Sequence, residues 1–240
     1  MKPPKEPQAI RQMFDRICQR YDVLNHLLSF GLDFYWRYRA VRALGLKPGH
    51  KVVDLCCGTG DLSFALAKKV GPYGKIVGVD FAGQMLEVAR DKKPSRPYAS
   101  NVTFVQGDAC DVPLQEQFDA ATLAFGPRNI HDINALWTEM KRLVRPGGRI
   151  LSLELTRPKG ILAPLHYVHT HYILPAIGRL ISGDSEAYSY LCKTVAKFMD
   201  AQELAESMRA NGLVDVKVIP LQFGIATIHL ATVPHDYKTV

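Results

Sequence analysis

A short segment from Val53 to Asp61 combines acidic residues with a glycine-rich turn in a pattern that suits a nucleotide-like ligand. Asp54 ends an apolar run, and Gly58, Thr59 and Gly60 follow it just before a helical pattern begins. Glycine lets the backbone approach a ligand closely and adopt a positive φ. The turn therefore predicts a ligand crevice at the carboxyl end of a strand, where open α/β sheets bind their ligands.

Two more acidic residues follow the next two predicted strands. Asp80 comes 20 residues after Gly60, and Asp108 precedes Ala109 beyond the third strand. An acid at the first position can accept hydrogen bonds from ribose hydroxyls. An acid at the second can accept from an adenine amino group, and Asp54 can interact, directly or through water, with a cationic amino-acid group. This chemistry favours S-adenosylmethionine as the cofactor.

A nicotinamide-binding Rossmann domain is the main alternative, and the glycine spacing argues against it. The third glycine of G-x-G-x-x-G would fall at Ser63, where it would allow close packing under a pyrophosphate. A ligand without pyrophosphate does not need that glycine. The predicted cofactor-binding residues are Asp54, Gly58, Thr59, Gly60, Asp80, Phe81, Asp108, Ala109 and Ala124.

The two adjacent cysteines of the turn are expected to pack rather than to react. Cys56 stands where methyltransferases commonly carry glycine, and a small buried Cys can replace glycine if φ is negative there. The chain has five cysteines but no CxxC pair, which disfavours zinc ribbons and redox dithiols.

Strands that alternate with helices must position these residues. Short apolar runs predict five strands, at 51–55, 76–79, 102–106, 118–125 and 150–155. Helical patterns lie between them, at 61–69, 82–90 and 133–143. A helix at 201–211 precedes two β-rich runs, 214–219 and 225–233, which suggest an antiparallel hairpin. The predicted fold is a Rossmann-like α/β class with a mostly parallel seven-stranded sheet, a C-terminal antiparallel hairpin and helical additions.

The additions lie at the N-terminus and late in the chain. Apolar residues recur at helical spacing from Ile10 to Tyr21, so residues 1–45 are predicted to form an N-terminal helical cap. The cofactor-binding domain then spans residues 46–240. Prolines, aromatic residues and histidines break the alternation at about 158–200, which predicts an inserted helical lid.

Several motifs resemble the ubiquinone/menaquinone biosynthesis C-methyltransferases, a family of class I S-adenosylmethionine-dependent methyltransferases. They are Phe14–Ile17, Tyr21–Asn25, Leu28–Gly31, Trp36–Arg37, Asp54–Asp61, Ala124–Asp132, Leu174–Gly178, Tyr188–Leu191 and Phe223–His229. The resemblance implies methylation of a ring carbon on a polyprenylated hydroquinone, with the menaquinone branch favoured over the ubiquinone branch. It also carries cofactor contacts onto Thr59, Asp80, Asp108 and Ala109.

Two positions depart from the family pattern near the expected substrate pocket. Pro127 stands where the family usually has Leu, and Leu155 stands where it often has Phe. They leave the choice between a naphthoquinol and a benzoquinol open, together with the length of the isoprenoid tail. They do not affect the predicted reaction type.

The reaction implied by the resemblance needs an ionised ring hydroxyl, because a neutral arene carbon is a poor nucleophile. Arg128 is predicted to stabilise the phenolate or to polarise a water that takes the proton, since a neighbouring cation lowers a phenol pKa. The alternative is a salt bridge to Asp132. Asn129 is predicted to orient the same hydroxyl. His131 is a candidate general base, although capping of a helix is the preferred interpretation.

Aromatic and apolar side chains are candidates for binding the substrate. The predicted contacts are Tyr21, Phe30, Trp36 and His229, each of which is alternatively a core residue. Apolar residues of the lid could hold the isoprenoid tail: Ile161, Leu162, Leu165, Ile173, Leu174 and Ile177. His166, His169 and His171 do not share one helical face, so no metal site is predicted.

The net charge of +7 is concentrated near the N-terminus, where residues 1–50 hold nine Lys/Arg against four Asp/Glu. Basic charge beside apolar helices predicts peripheral contact with an anionic membrane. The sequence has no dense basic run with interleaved aromatic residues, so nucleic-acid binding is not predicted. Without an apolar N-terminal run or a long apolar span, a cytoplasmic protein is expected, with a homodimer left open. The competing functions are a methyltransferase of another small aromatic and a non-catalytic S-adenosylmethionine-binding protein.

Overall fold

The computed structural model describes residues 7–157, 190 and 194–237, and within them seven strands form one sheet. In chain order these are β1 (Lys51–Leu55), β2 (Lys75–Asp80), β3 (Val102–Gln106), β4 (Phe118–Ala124), β5 (Val144–Leu155), β6 (Val214–Leu221) and β7 (Ala226–Thr232). The helices around them are α1 (Pro7–Leu28), α2 (Leu32–Ala43), α3 (Asp61–Val70), α4 (Gly83–Lys92), α5 (Ile133–Leu143) and α6 (Ala201–Ala210).

The strand order is β3-β2-β1-β4-β5-β7-β6. The first five strands in that order are parallel, and β7 is antiparallel to both β5 and β6. The predicted mostly parallel sheet with a C-terminal antiparallel hairpin is confirmed. The register pairs Leu55 with Val79 and with Leu123, so β1, β2 and β4 end at one edge of the sheet. Crevices for ligands form along such carboxyl edges.

Alternation along the strands divides the core between the two faces of the sheet. In β1, Val52 packs with α2 and α3, whereas Val53 packs with α5 and α6. The second N-terminal helix belongs to the first of these layers, because Trp36 and Leu44 lie in the same apolar cluster as the strands. Helix α2 is thus part of the fold that carries the crevice.

Local signals set the ends of the helices. Gly31 separates α1 from α2 at φ 75°, and its N–H donates to the His26 carbonyl at 2.7 Å. A glycine in this left-handed conformation ends many helices. Asp200 starts α6 with a capping box, accepting from the backbone N–H of Glu203 at 3.0 Å while the Glu203 carboxylate accepts from Asp200 N–H.

One sequence expectation about the bounds of a strand changes. Strand β5 begins at Val144 rather than at residue 150, because Val144 pairs with Phe118 and Gly147 donates its N–H to Val233 at 2.9 Å. Gly147 and Gly148, which lie before the predicted strand, are therefore part of an irregular strand. Most of the predicted lid lies outside the described residues, including Leu174, His166, His169 and His171. Among the described helices, none is long and apolar enough to cross a membrane.

Candidate functional site

The glycine turn after β1 is held tightly by its surroundings. Gly58 and Gly60 have φ values of 54° and 84°, which favour glycine. A Cβ added at Gly60 would lie 2.9 Å from the ring of Phe104 and 3.1 Å from that of Phe64, so the turn has no room for a side chain there. The structure therefore contains the predicted glycine-dependent turn at the carboxyl ends of the strands.

Cys56 adopts a conformation opposite to the expected one. Its φ is 51°, so the expectation of a negative φ is wrong. The side chain packs against the backbone at Gly126, where an added Cβ would lie 2.9 Å from the Cys56 Cβ. Burial raises the pKa of both Cys56 and Cys57 well above the ordinary thiol value, so both thiols stay protonated. These properties fit packing rather than reactivity.

Asp54 is buried beneath the turn with both carboxylate oxygens occupied. It accepts from Ser63 Oγ at 2.6 Å and from Thr122 Oγ1 at 2.7 Å. Burial raises the pKa of Asp54 to about 6. Ser63 stands where a dinucleotide-binding protein would need its third glycine, and here its hydroxyl ties α3 to β1. Asp54 thus braces the turn from behind, and its contact with the cationic amino-acid group of the cofactor, directly or through water, stays a prediction.

Asp80 lies at the end of β2 and fixes the neighbouring backbone. Its Oδ2 accepts from the N–H of Gly58 at 2.8 Å, and its Oδ1 accepts from Ala82 N–H at 2.9 Å. Each carboxylate oxygen has two lone pairs, so both keep capacity for ribose hydroxyls. Burial is the main reason why the pKa of Asp80 rises to about 6. Phe81, the next residue, packs beside Ala82 against α1.

The loop that carries Asp108 and Ala109 follows β3, the neighbour of β2. Asp108 is exposed and accepts from Cys110 N–H at 2.8 Å, while Ala109 is buried. An ion pair from α5 holds the far side of this loop: Glu139 accepts from Val112 N–H at 2.7 Å, and Arg142 donates to the Val112 carbonyl at 3.0 Å. The predicted adenine-side residues are therefore brought next to the Asp80 position by the sheet order, with Ala124 at the end of β4.

Helix α1 covers the glycine turn. The hydroxyl of Thr59 donates to Asp22, whose carboxylate also pairs with Lys92 at 2.8 Å. The ring of Tyr21 lies 3.9 Å from the position of a Cβ added at Gly58. The N-terminal helix thus contributes a carboxylate and an aromatic ring to the predicted cofactor site, which the turn motif did not indicate.

A cleft opens between α1 and the short 3-10 turn Pro127–Asn129 that follows β4. Its polar lining includes Tyr21, Asn25, Arg128, Asn129 and Tyr190, and its apolar lining includes Met13 and Leu24. The Tyr190 hydroxyl donates to Asn129 Oδ1 at 3.1 Å. Burial raises the pKa of the Tyr21 and Tyr190 hydroxyls, and the charge of Arg128 opposes the rise. The cleft combines an apolar wall with groups that bind oxygen.

Arg128 is the cation of this cleft, and its partner is not the expected one. It forms an ion pair with Glu154 of β5; the two side chains are 7% and 0% exposed. The predicted alternative of a salt bridge to Asp132 is wrong, because that residue caps α5, accepting from Asn134 N–H at 2.9 Å. Arg128 Nε is buried and finds no hydrogen-bond partner among the described residues.

Four predicted residues lie away from the cleft. His131 is exposed, and the preferred interpretation that it caps a helix is wrong, since Asp132 supplies the cap. Phe30 is 74% exposed at the turn after α1. Trp36 is in the core, where its indole N–H donates to Gln222. His229 is fully buried behind α6, with Nε2 donating to the Ala201 carbonyl at 2.8 Å. For Trp36 and His229 the core interpretation describes the observed environment.

Two residues that the sequence reading did not single out have central positions. Glu154 interrupts an apolar strand, and a buried carboxylate in such a run requires a partner. That signal was available, but it could not identify Arg128. Asp22 follows Tyr21 in the N-terminal motif, and no local pattern indicated that it would reach Thr59.

Comparison with known proteins gives consistent relatives over nearly the whole chain. The model of the ubiE/COQ5 methyltransferase family matches residues 2–233. The demethylmenaquinone methyltransferase of Anoxybacillus flavithermus is 36% identical over 236 residues, covering 98% of this chain and 99% of the relative. The demethylmenaquinone methyltransferase of Geobacillus stearothermophilus is 38% identical over 232 residues, covering 96% and 98%.

Solved structures share the fold at lower identity. A SAM-dependent methyltransferase from Aquifex aeolicus superposes with a TM-score of 0.61 at 18% identity, covering 82% of this chain and 89% of that one. Phosphoethanolamine N-methyltransferase 2 from Haemonchus contortus, in complex with S-adenosyl-L-methionine, has a TM-score of 0.60 at 16% identity and covers 82% and 52%. These similarities confirm the class I architecture of the sheet.

Proposed function

The chain belongs to the ubiE/COQ5 methyltransferase family, and from this premise we propose that it methylates a ring carbon of demethylmenaquinol to give menaquinol. The chain is an S-adenosylmethionine-dependent methyltransferase, as its motifs predicted. The menaquinone branch follows the names of relatives that match along nearly their full length. A polyprenylated naphthoquinol is thus the proposed methyl acceptor.

The observation that carries this proposal is the buried guanidinium of Arg128 in the cleft beside the glycine turn. Its Nε–H has no partner among the described residues, and a buried donor left unpaired costs about 1–3 kcal/mol. Arg128 also lines the cleft, so an oxygen on a ring bound there would lie beside the guanidinium charge. The apolar wall formed by Met13, Ile17 and Leu24 suits a flat aromatic ring.

The residues at the carboxyl edge fit S-adenosylmethionine. Asp80 offers acceptors for ribose hydroxyls, and Asp108 and Ala109 lie where an adenine ring is expected. When bound, the cofactor supplies a methyl group activated on a positively charged sulfur. The chain's own acidic residues around the turn complement that positive charge.

The cleft residues act on the ring hydroxyl. The positive charge of Arg128 lowers the pKa of a neighbouring phenol, whose ordinary value is about 10, and so favours the phenolate that drives attack from the ortho carbon. Asn129, held by Tyr190, orients the ring oxygen. Tyr21 and helix α1 cover the turn and exclude water from the reacting atoms.

Methyl transfer with chemically defined acceptors tests the proposal. Short-tailed demethylmenaquinol is incubated with methyl-labelled S-adenosylmethionine, and the product is analysed by mass spectrometry with fragmentation of the ring. We expect label on a ring carbon. Label on oxygen, or a preference for a benzoquinol, would contradict the proposed acceptor. Cofactor binding without turnover on any quinol would instead support a non-catalytic role.

Peripheral membrane contact is the finer part of the proposal, and an exposed apolar corner between α1 and α2 supports it. The docking corner comprises Val23, Leu27, Phe30 and Phe34, all exposed. Arg16 and Arg20 lie on the same stripe of α1, one to two turns earlier. A basic and apolar helix face of this kind suits an anionic lipid surface. The inner face of α1 lines the cleft, so the corner lies beside the route that a lipid-soluble quinol would take.

The homodimer stays a prediction, which light scattering on the purified protein will check.

Replacing Phe30 with glycine is expected to stabilise the protein and weaken vesicle binding. Phe30 belongs to the docking corner and is 74% exposed with φ 52°, at the turn after α1. Relief of the left-handed conformation should raise the free energy of unfolding by about 1 kcal/mol. Loss of the ring should weaken binding to phosphatidylglycerol vesicles about fivefold, measured by cosedimentation at low salt.

Tyr73 provides the matched control. It is 89% exposed in the turn before β2, at the amino ends of the parallel strands and therefore away from the crevice. Tyr73→Ala should leave vesicle binding unchanged. Equal binding by wild type and both variants, or no binding by the wild type, would remove the membrane contact from the proposal.

A further inference from the structure

Glu154 holds Arg128 at two points. Its Oε1 pairs with Arg128 Nη1, and its Oε2 accepts from the backbone N–H of Arg128 at 3.2 Å. The Leu155 N–H also donates to Oε1, at 2.8 Å. The carboxylate is 0% exposed and lies on β5, the strand paired directly with β4. A rigid central strand thus fixes both the main chain and the side chain of the residue at the cleft.

The double contact restricts how the guanidinium is presented to the cleft. Nη1 is engaged by Glu154, whereas Nε is buried and unpaired within the described part of the chain. A guanidinium is planar and presents its donors in a fixed fork, so fixing one donor restricts the directions of the others. An arginine without this carboxylate would be free to turn its fork toward other acceptors of the cleft, such as Asn129 Oδ1.

Glu154 is placed to hold Arg128 rather than to contact the substrate. Its two oxygens already accept three hydrogen bonds, two from Arg128 and one from the Leu155 N–H. Its side chain is fully buried, and it does not line the cleft. A role through Arg128 therefore fits its surroundings better than direct contact with the substrate.

We propose that Glu154 is a positioning residue that sets the orientation of the Arg128 guanidinium toward the ring oxygen of the methyl acceptor. The proposal rests on the proposed function, because it assumes that a ring oxygen binds at Arg128. It assigns a role to a residue within β5 that no motif of the cofactor site includes. It also separates two tasks: Arg128 binds the ring oxygen, and Glu154 on β5 fixes the orientation of the Arg128 guanidinium.

Glu154→Gln tests the proposal, since the amide keeps the size but loses the charge that orients Arg128. We expect kcat with short-tailed demethylmenaquinol to fall about 30-fold and the cofactor Kd to stay within about twofold. In an Arg128→Ala background the same change should cost less than about twofold, because the residue it acts through is gone. A merely structural residue would reduce kcat by the same factor in both backgrounds.

A spectroscopic readout checks the same point without turnover. 4-Methoxy-1-naphthol mimics one edge of a naphthoquinol, and its ultraviolet absorption reports ionisation of its hydroxyl. Wild-type protein should bind part of it as the naphtholate, and Glu154→Gln should reduce that fraction. Asp119→Asn is the matched control. The Asp119 carboxylate pairs with Arg145 at 2.8 Å, at the amino ends of the parallel strands, so the substitution should change neither readout.

The outcomes separate the two hypotheses. A wild-type protein that methylates no quinol overturns the proposed function and the role of Glu154 with it. An active wild type with unchanged kcat and naphtholate signal in Glu154→Gln overturns the positioning role alone. If Glu154→Gln does not fold, Glu154→Asp keeps the charge but withdraws it by one methylene. That variant should lose about tenfold in kcat, and wild-type activity in it overturns the proposal.

Discussion

Replacing Arg128 with alanine is expected to lower kcat by about 10²- to 10³-fold, the usual effect of removing one donor from a developing oxyanion. The side chain is 7% exposed, lines the cleft and keeps Nε unpaired within the described residues, so its interaction with a ring oxygen would be well desolvated. Within the described residues, Arg128 makes no hydrogen bond or ion pair with the glycine turn or with Asp80. The cofactor Kd should therefore stay within about twofold.

The measurement combines steady-state kinetics with calorimetric titration of the cofactor. Arg128→Ala also leaves Glu154 buried without its ion partner, which typically costs about 3–5 kcal/mol of stability, so thermal unfolding is recorded for each variant. Arg128→Lys keeps the charge but not the fork, and should recover only part of the lost kcat. Arg145→Ala, at the other edge of the sheet, is the control. A parallel loss of kcat and cofactor affinity, or no loss of either, would contradict the proposed role.

Replacing Asp80 with asparagine is expected to weaken cofactor binding about 100-fold. A charged acceptor for ribose hydroxyls is lost, and hydrogen bonds to charged groups contribute about 1.5–3 kcal/mol. The variant also places an amide where Gly58 and Ala82 both donate their N–H groups at 2.8 and 2.9 Å. At saturating cofactor, kcat should recover, because the cleft around Arg128 is unchanged. Calorimetry gives the Kd, and a Kd equal to that of wild type would exclude the ribose contact.

The same residue predicts the pH dependence of cofactor binding. Burial raises the pKa of Asp80 from 3.8 to about 6, and the cationic cofactor favours the ionised form. The Kd should therefore decrease as the pH rises through 6, and Asp80→Asn should remove that dependence. Asp54 has a pKa of about 6 as well, but it contacts Ser63 and Thr122, so Asp54→Asn should leave the dependence in place.

Protein stability should change with pH in the opposite direction. The pKa of both carboxyls is higher in the folded protein than the ordinary value of 3.8, so the folded state binds protons more tightly than the unfolded chain. The free energy of unfolding of the cofactor-free protein should fall as the pH rises through about 6, by up to about 3 kcal/mol for each group. Urea denaturation between pH 4 and 8 measures this change.

The sheet could be predicted from the sequence because each element carries its own local signal. The bounds of β1, β3 and α5 match those predicted from apolar runs and helical periodicity. The observed start of β5 differs from the predicted one. Pairing with β4 and β7 extends the strand through two glycines, which the sequence alone indicates as a loop. Pairing partners far apart in the sequence leave little local trace.

The cofactor side could be predicted further than the substrate side for a related reason. Asp54, Asp80 and Asp108 each follow a strand, and parallel strands bring their carboxyl ends together. Trp36 and His229 have residue types that suit a pocket, but their faces depend on the packing of α2 and α6. The pairing of Arg128 with Glu154 depends on the register of two strands, which composition does not reveal.

The contact between Cys56 and Gly126 limits how these two positions can vary among related chains. A methyl group at position 126 would lie 2.9 Å from the Cβ and 3.1 Å from the sulfur of Cys56. A side chain at 126 is therefore compatible only with a smaller residue at 56, and glycine at 56 would make room for alanine at 126. The two positions should covary across homologues, and the cysteine of the turn is one of two interchangeable ways to fill a shared volume.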